Sequence, residues 1–435
     1  MRTLSRGRKL ALVATAVASL VATAACGGGG SSSNSGSKKV TIWSSTDPLV
    51  FAGLKKEIVA KAKAQGITVD MQKVDNINQL IMTKIQANDT PDIALIPQPG
   101  VVGDIVKRNK AQDLSTVLDM NALKSTMTPG TLEAGTFNGK LYGLLVSMNV
   151  KSLVFYPKKA WDKAGYKAPT DFASLEALTN QIKSSGTPPW CFGIESGPAT
   201  GWPATDWFED LVMRYGGVSG YNDWVTHKTK FDSPVVRQSA AEFQKLILTK
   251  GNVPGGPGSI ASTAFGNADN PMWNAKPGCM MLKQGNFIVS KDFMPSNVVS
   301  DVDANIGVFG FPPATAGGDN PTLGGGDLAT LLSTTDSAKK VMKILADPTL
   351  GKDTAGTSSF ISPHKTFDMS LYPNDLTRTI ADTAYKSTSF LFDGSDAMPG
   401  AVGAGTFWKD MTSWISGQEN LDTALKNIDA SWPTS

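Results

Sequence analysis

KVTIWSSTDPLVFAGLKKEIVAKAKAQGITVDMQKVDNINQLIMTKIQANDTPDIALIPQPG, residues 39–100, decides the fold class. Its first residues, KVTIW (Lys39–Trp43), read as a strand. Leu54, Ile58 and Ala62 then recur every fourth residue, which puts them on one face of a helix, and Gly66 stops it. ITVDMQKV (Ile67–Val74) alternates apolar and polar residues with the period of a half-buried strand. Asp75 or Asn76 is expected to cap a second helix, with Ile77, Leu80, Ile81 and Ile85 on its apolar face. Pro91 closes that segment, and IALI (Ile93–Ile96) is apolar throughout, as a strand covered on both faces is. Strand–helix–strand–helix–strand in this order predicts a parallel, doubly wound sheet.

The same order predicts where a ligand sits. In open α/β sheets, ligands bind beyond the carboxyl ends of the strands. The first strand runs out at Trp43-Ser44-Ser45-Thr46-Asp47 and the third at Pro97-Gln98-Pro99-Gly100, so these two loops are candidate site walls. Asp92 enters its strand from the amino end and reads as structural.

Further along, DFASLEALTNQI from Asp171 places Leu175, Leu178 and Ile182 on one helical face, and residues 235–248 read as another helix. A strand returns at NIGVFGFP near Ile306. TLGGGDLATLL after it reads as a glycine-rich loop, followed by a helix from Ala338 to Leu345. GGGD (Gly324–Asp327) lacks the Lys and Ser/Thr of a phosphate-cradling loop, so no nucleotide site is expected. The chain has 435 residues, too many for one simple core, which points to two α/β lobes.

The amino terminus has a separate meaning. Arg2, Arg6, Arg8 and Lys9 precede an uncharged stretch, Leu10–Ala25, too short for a membrane span but suited to a signal-peptide core. Residues 1–25 are therefore expected to be a lipoprotein signal, with Thr23-Ala24-Ala25 leading into an acylated Cys26. Thr23 stands where such signals usually carry Leu. Gly27–Ser37 is almost entirely glycine and serine, a flexible coil averaging roughly 17–20 Å end to end, and residues 26–38 read as a tether. The whole chain has 41 Lys+Arg and 38 Asp+Glu, and the four basic residues of the signal more than account for the excess. The body is close to neutral. A nucleic-acid partner, which needs a basic face, is not expected.

Cys191 and Cys279 are the two cysteines of the body. Two cysteines in an exported chain favour a disulfide, the alternative being two buried thiols. The histidines are two, His227 and His364, expected in loops or at the surface, and no HExxH or GxSxG motif is present. No catalytic residue, cofactor or metal is assigned. Ten tryptophans are spread along the chain, several close to carboxylates. GPATGWPATDWFED brings Trp202, Asp206 and Trp207 together, and FDGSDAMPGAVGAGTFW brings Asp393, Asp396 and Trp408 together. A sugar needs both ingredients: flat rings for its C–H faces, and carboxylate or amide acceptors for its hydroxyls. Paired carboxylates are also the machinery of a glycoside hydrolase, and the spacing of Asp393 and Asp396 does not separate catalysis from sugar holding.

Several longer strings go further. VTIW (Val40–Trp43), TPDIALIPQPG (Thr90–Gly100), LVFYPKKAWDKAGY (Leu153–Tyr166) and CMMLKQGNF (Cys279–Phe287) resemble the extracellular solute-binding proteins of carbohydrate ABC transporters, family 1 type. WCFGIESGPATGWPATDWFEDL (Trp190–Leu211), LGGGDLA (Leu323–Ala329) and FDGSDAMPGAVGAGTFW (Phe392–Trp408) are similar to the α-glucoside-binding branch. The last position of CMMLKQGNF is usually Trp in the family and is Phe287 here. The resemblance implies a periplasmic-binding-protein-like fold with a ligand cleft between two lobes, one of 39–148 plus 313–353 and the other of 149–312 plus 354–435. It implies that Trp43, Ser45, Asp47, Gln98 and Asp327 face the ligand from the first lobe. Trp202, Asp206, Phe287, Asp393 and Trp408 would face it from the second, with Asn149 near a crossover. Trp273, in NPMWN, is a further candidate platform with no family motif behind it. The implied partners are an oligosaccharide, the permease subunits of an ABC importer, and the outer face of the cytoplasmic membrane through the lipid. The protein is expected to be a monomer and not an enzyme, the alternative being a lipid-anchored glycoside hydrolase.

Overall fold

The computed structural model describes residues 38–433. Cys26, the signal segment and the glycine-rich tether through Ser37 lie outside them. The opening alternation folds as its periodicity requires: β1 (Lys39–Ser44), α1 (Pro48–Lys63), β2 (Thr68–Lys73), α2 (Ile77–Gln86), β3 (Ile93–Ile96) and α3 (Pro99–Lys107). β1 pairs in parallel with β2 on one side and with β3 on the other. All four residues of β3 are fully buried, which explains its unbroken apolar run. Asp47 caps α1, accepting from Leu49 N at 3.0 Å. α2 differs from expectation in two details. Asn76 precedes it in a left-handed conformation and makes no side-chain cap, and Leu80 faces solvent while Ile77, Ile81 and Ile85 are buried.

The sheet continues through β4 (Gly143–Val150), and the chain then crosses to β5 (Leu153–Pro157), which forms a second sheet with β6 (Leu282–Lys283) and β7 (Ile306–Gly310). It returns as β8 (Thr322–Leu331), antiparallel to β3 along one edge and to β4 along the other. β8 is TLGGGDLATL, the stretch read from sequence as a loop. Glycine ordinarily weakens a strand, but here two close approaches require it. A Cβ on Gly324 would come within 2.2 Å of the Phe390 ring, and Gly326, at φ +145°, would meet the Ser147 carbonyl oxygen at 2.0 Å. The register slips between Asp327 and Leu328, a bulge that re-aims Asp327.

The large sheet is completed by β9 (Phe390–Phe392), parallel to the start of β8. Its pairing with β8 brings residues 390–392 onto the large sheet. After β9 the chain enters a short helix, α4 (Gly394–Ala397), and packs against the long helix α5 (Trp202–Val225). A second core gathers there, around Trp207, Phe208, Trp224 and Phe407. Cys191 and Cys279 are bonded to each other, with Cα atoms 5.3 Å apart. No helix among the described residues is long and apolar enough to cross a membrane.

Candidate functional site

The carboxyl ends of β1 and β3 open on a cavity of about 270 Å³. Ser45, Thr46 and Asp47 come from the β1 loop, Pro97 from the β3 loop, Ser147 and Asn149 from β4, and Asp327 from the bulge in β8. Phe287 and Phe293 form the opposite wall. Asp327 accepts hydrogen bonds from Thr46 Oγ1 at 2.8 Å and Ser147 Oγ at 3.2 Å. Burial pushes its pKa up to about 6, against the pull of those two donors.

The aromatic wall extends beyond the cavity. The Phe287 ring lies 5.9 Å from that of Trp202, which meets Phe265 edge-on at 4.9 Å, and Phe265 meets Phe293 at 5.4 Å. All four rings are partly exposed. Trp202 is fixed by its Nε1–H, which donates to Ser196 Oγ at 3.2 Å, and Lys151 Nζ stands 5.3 Å from its ring centre.

Lys151 is the first residue past β4, where the chain leaves the large sheet. Its ammonium is buried and pairs with Asp206 Oδ1 at 2.9 Å and with Asp393 Oδ2. Asp206 lies in the first turns of α5 and Asp393 directly follows β9, so one cation joins both crossovers to the second core. Asp206, Glu209 and Asp393 bring carboxylate oxygens within 4.8 Å of one another. Glu209 accepts from the backbone N–H groups of Gly394 at 2.8 Å and Ser395 at 3.1 Å. Burial, then the negative charge of Asp393, holds Glu209 well above the usual carboxylate range. Burial raises Asp206 as well, more than Lys151 lowers it. Asp393 goes the other way: burial opposes ionisation, but Lys151 and hydrogen bonds from its neighbours outweigh it and leave the group ionised. Both oxygens of Asp393 are engaged, Oδ2 by Lys151 and Oδ1 by Ser395 Oγ at 2.7 Å and Asp396 N at 3.2 Å. Three donors on one carboxylate fix its orientation where β9 meets the second core.

A model of the bacterial extracellular solute-binding protein family matches residues 58–367. The chain belongs to that family. The osmoprotective compounds-binding protein GgtB of Synechocystis is 32% identical to this solute-binding protein over 426 residues, covering 97% of this chain and 99% of the relative. The alpha-glucosides-binding periplasmic protein AglE of Rhizobium meliloti is 32% identical over 402 residues, 90% of this chain and 85% of its own. Among solved structures, the bacterial solute receptor AcbH superposes with a TM-score of 0.75 at 18% identity, covering 90% of this chain and 98% of that one. A chitin oligosaccharide binding protein superposes with a TM-score of 0.72 at 19% identity, covering 91% and 98%. The fold is the two-lobed α/β fold of those receptors.

In this solute-binding protein the structure gathers Ser45, Asp47, Asn149, Phe287 and Asp327 around the cavity, with Trp202 beside it. Asp206 and Asp393 stand behind the wall in the Lys151 cluster. Gln98 reaches the same region by donating to Asp396 Oδ1 at 2.8 Å, and Trp408 Nε1 donates to Ser395 Oγ at 3.3 Å. Two candidates are not gathered. Trp43 packs its half-buried ring on the core of the first sheet. Trp273 lines a separate cavity with Pro157 and Lys159, at the end of β5 remote from Lys151, and donates to Asp269 Oδ2 at 2.6 Å. His364 lies in a loop, as expected, but is buried against Thr126 Oγ1 at 2.9 Å, and burial lowers its pKa to about 4. Sequence reasoning missed Ser147, Phe293 and Lys151. For Lys151 a signal existed: it is the one charge inside LLVSMNVKSLVFYP, and an ammonium in so apolar a run needs buried carboxylates.

Proposed function

We propose that this chain is the sugar-capturing component of an ATP-driven importer, and that its guest is an α-glucoside or a related oligosaccharide, bound and released unchanged. The observation that carries the reading is the pairing of a partly exposed aromatic wall, Trp202, Phe265, Phe287 and Phe293, with a facing wall of hydroxyl, amide and carboxylate groups. Rings cover the C–H faces of a pyranose and the polar wall takes its hydroxyls. That AglE is named for binding alpha-glucosides supports a hydroxyl-rich guest.

The first lobe then comprises 39–148 and 313–392, and the second 149–312 with the remainder. Sugar that touches both favours the closed arrangement by its differential affinity, and the hinge closes on it. The closed form is what permease subunits in the membrane recognise. An acylated Cys26 and the glycine-rich tether would keep the receptor, a monomer, on the outer face of the cytoplasmic membrane. Hydrolysis is no part of this reading, and the naming of GgtB and AglE as binding proteins supports that.

Isothermal calorimetry of the soluble body with maltose, trehalose and sucrose tests it. Saturable heat with at least one of them, and intact sugar recovered afterwards, is the expected result. Silence with every sugar sinks the proposal, and accumulating cleaved product moves the protein to the hydrolases.

A further inference from the structure

A second cavity, of about 280 Å³, shares two of its wall residues, Asp47 and Ser359, with the first. Small-molecule sites typically enclose roughly 300–1,000 Å³. Each cavity alone falls just short of that range, and the two together fall inside it.

Their linings differ. The first is walled by rings. The second has none, and its floor is aliphatic: Val289, Val299, Val302, Leu376 and Ile380. Leu49, 49% exposed, stands among its walls on the α1 side. Around that floor are polar groups from three separate segments of the chain. Lys291 and Asp292 are exposed and, among the described residues, pair with no other side chain, and Ser359 Oγ makes no hydrogen bond to any of them. Asn374 spends its side-chain oxygen on Thr377 N, at 2.8 Å, and leaves its NH2 group free. The charges are mixed in sign, Asp47 and Asp292 against Lys291, so the cavity favours neither an anion nor a cation. A hydroxyl both donates and accepts, and can satisfy any of these groups in turn. The lining therefore suits an uncharged guest with hydroxyls on its rim and C–H groups beneath.

We propose that the second cavity is a binding compartment for a further residue of the saccharide, so that the receptor prefers chains longer than a disaccharide. This rests on the sugar-binding reading above. Trp202 and Phe287, 5.9 Å apart, offer one ring to each of two sugar residues on the first side. The next residue passes between Asp47 and Ser359 and lies on the aliphatic floor, held by Lys291, Asp292 and Asn374. Without an aromatic ring this compartment contributes less than the first, but it contributes selectivity for length.

The test is calorimetry of the mature body with maltose, maltotriose and maltotetraose, repeated on K291A/D292A and on Val289→Trp, which fills the floor. In the unaltered protein maltotriose should bind about tenfold more tightly than maltose. Both variants should bring the maltotriose-to-maltose affinity ratio close to one, with thermal unfolding confirming that each is folded. Equal affinity for maltose and maltotriose in the unaltered protein overturns the second compartment while leaving the sugar-binding reading intact. So does a length preference that both variants retain. If no saccharide of any length binds, the sugar-binding reading fails and takes this proposal with it.

Discussion

Gln98 donates from Nε2 to Asp396 Oδ1 at 2.8 Å, tying the loop beyond β3 to the short helix after β9, 298 residues later. Asn78 Nδ2 in turn donates to Gln98 Oε1 at 2.9 Å, which fixes the orientation of the amide. Burial, and then the nearby negative charge of Asp393, raises the pKa of Asp396 to about 7, against the pull of Lys151 and Gln98. The sign follows from linkage. A carboxyl group whose folded pKa is raised favours the fold fully below its unfolded pKa, near 3.8, and loses that contribution as pH rises through about 7. Asp327, raised to about 6, acts in the same direction over a lower range. The melting temperature should therefore fall between pH 5 and pH 8. Asp396→Asn, which keeps an oxygen for Gln98 and cannot ionise, should flatten the upper part of that fall. An unchanged slope in the variant would remove Asp396 from the account.

Two kinds of tryptophan should separate in one experiment. Trp202 and Trp408 are partly exposed and each donates its Nε1–H to a serine, whereas Trp207 is 1% exposed and stands edge-on to Trp190 at 4.8 Å. Trp207→Ala should cost about 3–5 kcal/mol of stability by leaving a cavity. Trp202→Ala and Trp408→Ala should cost much less stability and weaken sugar binding at least tenfold. Urea unfolding and calorimetry on the three variants check this, and the stacking role fails if Trp202→Ala binds as the parent does.

Residues 39–100 were legible because their periodicity reflects burial directly. β1, β2 and β3 alternate or run apolar as their neighbours require, and the ends of β1 and β3 do border the site. β8 was not legible, because three glycines in a row signal a loop locally. Only the approach of Ser147 and Phe390 from two other parts of the chain makes them necessary. Trp43 and Trp273 show the same limit. The family resemblance made Trp43 a candidate and residue type made Trp273 one, but which way a ring faces is decided by packing partners distant in sequence. The role of Asp393 was half legible: its neighbourhood marked a site, while its commitment to Lys151 depends on a crossover 242 residues earlier.

The Cys191–Cys279 bond closes a loop of 88 residues. On the chain-entropy account, which is model-dependent, such a loop stabilises by roughly 4–5 kcal/mol. Both cysteines are buried, so a reductant should act slowly on the folded protein and quickly once urea opens it. The C191S/C279S variant should unfold at a lower urea concentration than the parent, and the parent with added reductant should converge on it. Two thiols titrating in the denatured, unreduced protein would contradict the bond.

Lys151 should be the costliest single side chain to neutralise. Its ammonium is the cation shared by Asp206 and Asp393, and the remaining oxygen of Asp206, Oδ2, is buried without a hydrogen-bond partner. Lys151→Met keeps the length of the side chain and strands two carboxylates away from water, which typically costs about 3–5 kcal/mol. The loss should depend on pH. With the ammonium gone, the pKa of Asp393 must rise from its lowered value and that of Asp206 must rise further, so the variant can recover stability by taking up protons as pH falls, while the parent has less to gain. The stability gap between parent and variant should therefore be widest near pH 8 and shrink towards pH 5. Adding Asp393→Asn to Lys151→Met should restore part of the loss at pH 8 and little at pH 5. Urea denaturation of the parent and the two variants at both pH values checks it, and a gap that does not change with pH would mean that Lys151 acts through packing and not through its charge.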